Sequence, residues 1–292
     1  MNRHFVYVGL VLWAPIAAAQ DVMRITHEVL APRLHVFSGY TNGNVLALET
    51  RDGVFLVDAQ TSKRVAALDT ALRRVTTAPV KWIANTHYHG DHTEGNAFYR
   101  ARGAEVWAHR RVPVQAAKDT TIAALEWHRT PLDPAAMPTR LVDTREELTL
   151  GGVRVVLRHY GPAHTDGDLL TWLPEFNVLH IGDLFEVGAP PFVDWWVGGS
   201  LDGMIQVIDQ VLTEVNETTR IVPGHGAVST PADLRRYREM LVAVQTRVRA
   251  GLAAGTAADT LGTSAVAGFE AMLGGERRAR QFAGQVILGL RR

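Results

Sequence analysis

From Leu34 onward the apolar positions fall in short runs broken by tight turns. Leu34 to Phe37, Asn44 to Glu49 and Gly53 to Asp58 read as strands, and Arg51-Asp52-Gly53 reads as the hairpin turn between the last two. An antiparallel sheet is therefore expected first. The period then changes: Val65, Leu68, Leu72 and Val75 recur at helical spacing, with Ser62 as the expected N-cap and Pro79 as the stop. Lys81 to Asn85 predicts the next strand, Gly95-Asn96 opens a helix, Glu105 to Ala108 predicts another strand, and a helical segment starts at about Pro113.

Pro131, Pro134 and Pro138 exclude a regular helix or central strand from 130–140, which is expected to be a surface loop. Leu148 to Leu150 and Val153 to His159 predict a hairpin over Gly151-Gly152. Leu169 to Leu173, Val178 to Ile181 and Arg220 to Val222 predict three further strands, and Leu201 to Val215 and Leu234 to Val248 two helices. Strands mixed with helices place the chain in the α/β class.

The first residues follow neither period. A short basic start at Arg3, an apolar stretch from Phe5 to Ile16 and Ala17-Ala18-Ala19 have the outline of a signal peptide over 1–19, too short to span a bilayer. The expectation is a secreted or periplasmic protein starting near Gln20, with no lipobox cysteine to anchor it in a membrane. The chain has no Cys at all, which excludes disulfides and sulfur-rich structural zinc sites. Formal charge is zero and the basic residues are scattered, so nucleic acid is not the expected partner; a small-molecule substrate is. Nothing in the pattern specifies an oligomeric state.

The chemistry concentrates in Thr86-His87-Tyr88-His89-Gly90-Asp91-His92, three imidazoles and a carboxylate at the C-terminal end of a predicted strand. That is the place where α/β sheets collect ligands, and the donor set suits zinc and neighbouring ions. Three more candidates, His164, Asp183 and His225, each follow an apolar strand, and they were expected in Gly-containing loops just beyond it. His87, His89 and His164 can hold one ion with a position left open. Asp91, His92 and His225 can hold a second, with Asp183 bridging. Two zinc ions are the expected cofactors, with iron or manganese accepted by the same ligands. A hydroxide shared between them is the expected nucleophile, with Asp91 orienting it.

His-x-His-x-Asp-His, a Gly-x-x-His-Thr segment, Gly-Asp and Pro-Gly-His-Gly, in this order across Leu34 to Gly226, resemble the metallo-β-lactamase fold superfamily. The resemblance implies a four-layer αβ/βα sandwich with a dinuclear site at one edge and hydrolytic chemistry. It assigns residues 20–230 to the catalytic domain and 231–292 to a short helical C-terminal extension packed on it. A bridging Asp183 is similar to the glyoxalase II, lactonase and periplasmic zinc metallohydrolase branch, and unlike a typical β-lactamase. The implied reaction is attack on an ester, lactone, thioester or amide carbonyl. Hydrolysis of β-lactams, as a main or side activity, is the alternative, and a mononuclear iron oxidoreductase similar to persulfide dioxygenases is another.

Asp58 and Asp168 are expected to support the ligand loops from behind. Phe192, Trp195 and Trp196, in a Pro-bound stretch after Asp183, and Trp127 before the Pro-rich loop are expected to line a substrate pocket. His27, His35, His109, His159 and His180 lack ligand spacing and are read as structural. Arg235, Arg236, Arg238, Arg247 and Arg249 are read as solvated helix-face charges rather than a thiol-conjugate site.

Overall fold

The computed structural model describes residues 24–39, 42–123 and 127–291, so the predicted signal peptide lies outside the described residues. Fourteen strands are described: β1 Ile25–Ala31, β2 Leu34–Gly39, β3 Asn42–Thr50, β4 Gly53–Val57, β5 Val80–Ala84, β6 Glu105–His109, β7 Thr120–Ile122, β8 Trp127–Arg129, β9 Arg140–Val142, β10 Arg145–Leu150, β11 Val153–Arg158, β12 Leu170–Leu173, β13 Val178–Glu186 and β14 Arg220–His225. The helices are α1 Val65–Leu72, α2 Gly90–Thr93, α3 Asn96–Arg100, α4 Arg111–Ala116, α5 Leu201–Glu214, α6 Pro231–Ala253, α7 Ala258–Ser264 and α8 Glu276–Leu290.

Seven strands form one sheet in the order β1-β2-β3-β4-β5-β6-β9, and five form another in the order β10-β11-β12-β13-β14. The first sheet begins antiparallel and turns parallel from β4 onward; the second is antiparallel except for the pair β13 and β14. Alternation of side chains sends Leu46, Leu48, Phe55 and Val57 from one sheet against Val155, Leu157, Val178 and Val222 from the other. On the far face of the first sheet, Val45, Leu56 and Ile83 pack on Val65, Leu68 and Leu72 of α1. On the far face of the second, Leu179 and Ile181 pack on Ile205 and Ile208 of α5, Val244 of α6 and Phe282 of α8. Three apolar interfaces make four layers, helix, sheet, sheet and helix, so the expected sandwich is the architecture observed.

Some boundaries differ from the sequence reading. Ser62 does not cap α1, whose N-cap position is Arg64. Instead the Ser62 N–H and Oγ both donate to Glu94 Oε2, at 3.0 and 2.8 Å, because that carboxylate is brought next to it. Asp183 and His225 do not lie in loops past their strands. β13 continues to Glu186 and β14 to His225, and parallel pairing of Gly182 with Pro223 carries both candidate ligands inside the ladder. The tail arginines are spoken for: Arg235 pairs with Glu217, Arg236 with Asp233, Arg238 with Asp209 and Arg249 with Asp202, while Arg247 donates to the Ala265 and Ala267 carbonyls. Among the described residues no helix is long and apolar enough to cross a membrane.

Candidate metal centre

The loop after β5 and the single turn of α2 set the first four donors. Two buried asparagines staple this segment. Asn85 Nδ2 donates to the His92 carbonyl at 3.1 Å and to Asn96 Oδ1 at 3.2 Å, and Asn96 Nδ2 donates back to Asn85 Oδ1 at 2.8 Å. His89 stays extended and ends the loop at the helix N-cap, and Asp91 and His92 follow on the turn of α2, the His92 ring 4.3 Å from that of His87. His164 arrives from the loop between β11 and β12. Asp183 arrives from a kinked part of β13, where Gly182 at φ +61° breaks the regular register in a conformation that favours glycine. His225 ends the neighbouring β14.

All seven predicted donors converge. His87, His89, His164 and Asp183 form one group, and Asp91, His92 and His225 form the other. The Asp183 carboxylate reaches across both. Its Oδ2 lies 3.7 Å from His87 Nε2, 3.8 Å from His164 Nε2 and 3.4 Å from His225 Nε2, and its Oδ1 lies 3.3 Å from His92 Nε2. His225 Nε2 also lies 3.3 Å from Asp91 Oδ2.

The second nitrogen of each ring decides whether the first can bind a cation. Thr86 Oγ1 gives its proton to Asp58 Oδ2 at 2.8 Å, so it accepts from His87 Nδ1 at 3.0 Å and leaves Nε2 with a lone pair. His164 Nδ1 donates to the Phe192 carbonyl at 2.7 Å, and His89 Nε2 donates to Asp194 Oδ2 at 3.2 Å. The three remaining lone pairs then face one another, with His89 Nδ1 2.9 Å from His87 Nε2 and 3.1 Å from His164 Nε2. His92 Nδ1 donates to Asp58 Oδ2 at 2.7 Å, while its buried Nε2 and the buried Asp183 Oδ1 have no hydrogen-bond partner among the described residues. Converging lone pairs and buried, unpaired donor atoms fit metal ions.

The two groups differ in charge. Burial and the neighbouring His92 ring hold His87 well below the ordinary imidazole value, and burial brings His164 down to about 4, so both rings are neutral at pH 7. On the other side burial also opposes a charged ring, but the carboxylates outweigh it. Asp183, Asp91 and Asp58 raise His92 well above its ordinary value, and Asp183 and Asp91 push His225 up to about 10. Burial opposes ionisation of Asp91 too, but His92 and His225 overcome it and hold that carboxyl well below its ordinary range. Without metal, the second group is a cage around protons.

Of the supporting residues expected, Asp58 touches a ligand directly. It sits just past β4 at φ 66°, accepts from the Thr86 N–H at 2.8 Å, and orients both His92 and, through Thr86, His87. Asp168 acts on the loop instead, accepting from the Thr165 N–H at 3.0 Å and from Thr165 Oγ1 at 2.6 Å. Burial pushes its carboxyl up to about 7 against those donors. Two contributors escaped the sequence reading. Asp194 accepts from His89 Nε2 and from the Tyr88 hydroxyl, and Asn44 Nδ2 donates to the carbonyls of Pro223 and Gly226, both at 2.9 Å, clamping the turn that carries His225. A lone polar residue inside the aromatic run 192–196 was the available signal for Asp194; Asn44 gave none.

A cleft of about 1010 Å³ opens above the donors, with His89 and Asp91 at its floor and Phe192 and Arg129 in its walls. Phe192 thus lies where a pocket residue was expected, its ring 5.7 Å from that of His89. Trp195 and Trp196 are not among the described residues lining the cleft. Trp195 packs against the apolar core under α8, at Gly289, because the turn at Asp194 directs it away from the donors. The side chain of Trp127 lies outside the described residues. Four of the histidines read as structural pair elsewhere: His27 Nε2 lies 2.9 Å from His35 Nδ1, and the His109 and His159 rings stack at 3.9 Å.

Residues 38–225 match the metallo-beta-lactamase superfamily, and the chain belongs to it. It is a metal-dependent hydrolase of that family. The metallo-beta-lactamase IND-1 of Chryseobacterium indologenes is 22% identical over 227 residues, covering 75% of this chain and 89% of its own length. Among solved structures, a metallo-beta-lactamase from Pontibacter korlensis superposes with a TM-score of 0.62 at 18% identity, covering 75% of this chain and 99% of its own. The stereoselective inverting sec-alkylsulfatase Pisa1 from Pseudomonas sp. superposes with a TM-score of 0.68 at 17% identity over 90% of this chain, which spans 49% of the sulfatase. At these identities the structural likeness concerns the fold.

Proposed function

We propose that this protein is a secreted dinuclear zinc hydrolase acting on an ester, lactone, thioester or amide carbonyl. The observation that carries the reading is the position of Asp183 between the two donor groups, with Oδ2 3.7 Å from His87 and 3.4 Å from His225 and Oδ1 3.3 Å from His92. His87, His89 and His164 would hold one ion and Asp91, His92 and His225 the other, with Asp183 between. Zinc, when bound, supplies a nucleophile near neutral pH and Lewis-acid polarisation of a carbonyl.

The chain's own residues do the rest. Thr86, Phe192, Asp194 and Asp58 keep the ring nitrogens aimed inward. Asp91 and His225 are the open side, 28% and 21% exposed, so substrate reaches the centre over them. The Asp91 carboxylate, ionised and facing the cleft, positions the nucleophile. The test is metal quantification on the purified protein together with hydrolysis assays on lactones, thioesters, secondary alkyl sulfates and β-lactams. About two zinc ions with carbonyl hydrolysis is the expected result; about one iron with oxygen uptake overturns it. β-Lactam hydrolysis is the second reading, favoured by the lactamase names of the curated relatives.

A further inference from the structure

Helix α8 buries one face, Ala279, Phe282, Ala283, Val286 and Ile287, and turns another toward the cleft. Gln281, Gly284, Gln285 and Leu288 on that side line the same cavity as His89 and Asp91. The helix is tied to the centre, because the short stretch that supplies the Phe192 carbonyl to His164 and the Asp194 carboxylate to His89 ends in Trp195 against Gly289.

Two features of this wall have no structural use. Gly284 lies inside a 15-residue helix, where glycine is destabilising relative to alanine. No close packing requires it, since a Cβ there would meet nothing within 4 Å. What the missing side chain provides is width in the cleft. One residue on, Gln285 Oε1 is buried with no hydrogen-bond partner among the described residues. A buried amide oxygen left unpaired is destabilising, and it can only accept, so what satisfies it must carry an N–H or O–H.

We propose that α8 is the specificity wall of the hydrolase: Gly284 admits a bulky acyl group and Gln285 accepts a hydrogen bond from a donor on it. The substrate class is then a bulky acyl compound bearing an N–H or O–H, such as an acylamino ester or amide. This rests on the hydrolase reading.

The test uses zinc-loaded wild type, Gly284→Ala, Gly284→Phe and Gln285→Leu with three p-nitrophenyl esters: acetate, N-acetylphenylalanine and its N-methylated counterpart. Gly284→Phe should lower kcat/KM for both phenylalanine esters about tenfold or more relative to the acetate. Gln285→Leu should lower the N–H ester about tenfold relative to the N-methyl ester. Gly284→Ala should raise the melting temperature, showing that the helix tolerates a side chain at this position. Calorimetric titration with N-acetylphenylalanine and N-acetyl-N-methylphenylalanine reads the wall without turnover. Discrimination in wild type that Gln285→Leu abolishes supports the proposal even if no ester is hydrolysed, in which case only the proposed ester chemistry falls. Parallel effects on all three esters, or equal binding of the two acids, overturn it.

Discussion

His89 Nδ1 and His164 Nε2 lie 3.1 Å apart, while the other nitrogen of each ring points its N–H at an acceptor, the Asp194 carboxylate for His89 and the Phe192 carbonyl for His164, so that lone pairs are left facing each other. Two lone pairs at that distance repel unless a cation sits against both. The carboxylate that enforces this arrangement on His89 is Asp194.

Asp194→Ala should therefore release the His89 ring. The expected loss is about 10–100-fold in zinc affinity, the usual cost of removing such a partner, read by competition with a chromogenic chelator. Asp194→Asn keeps an acceptor oxygen and should lose less. Unchanged affinity in both variants would remove Asp194 from the centre.

Gly224 tests Asp183 without touching a donor. A Cβ at Gly224 would run into the Asp183 carboxylate, so Gly224→Ala must push that carboxylate out of its place between the two donor groups. Zinc content should fall toward one ion per chain and hydrolysis by about tenfold or more, whereas Gly284→Ala, in open space, should leave zinc content alone.

Zinc binding should release protons. His92 and His225 are raised above the ordinary imidazole value in the metal-free protein, whereas His87 and His164 are lowered and already neutral at pH 7. Calorimetry in buffers of different ionisation heat should show up to about two protons released at pH 7. The sign for stability follows. For His225 the metal-free stabilisation is complete below about pH 6.5 and lost as pH rises through about 10, so melting temperature should fall across that window in the metal-free protein. The zinc-loaded protein should not show this fall, since the ion replaces the protons.

Asp168 gives a pH dependence of its own. Its folded carboxyl is raised to about 7 by burial, so the native state holds a proton that the unfolded chain releases near pH 4. Stability should then decline as pH rises from about 4 to about 7, by at most about 1.4 kcal/mol per pH unit from this group. Asp168→Asn, which still accepts from Thr165, should flatten that slope in denaturant melts. An identical slope in the variant would show that Asp168 is ionised in the fold.

Much of the molecule is written locally. Alternation and helical spacing are properties of a few neighbouring residues, which is why the hairpin at Gly151-Gly152, α1 and β5 were readable where they occur. The seven donors were readable too, because His and Asp clustered at strand ends are chemically uncommon, and their order along the chain marks the family. What the sequence could not express is contact between distant residues. Ser62 suits an N-cap by type, yet Glu94 reaches it first across the fold. Asp183 was expected beyond its strand, but pairing with β14 extends the ladder past it.

Residue type and order along the chain mark which side chains can hold metal and which strands present them, but how they are aimed depends on contacts between distant segments. Asp194 meets His89 from 105 positions away and Asn44 clamps the Pro223 turn from 179, separations over which no local pattern carries information. The cleft is closed on one side by α8 for the same reason. Helical spacing tells which face of Glu276–Leu290 is apolar, whereas packing against Trp195 sets which of its polar residues look onto the metal centre.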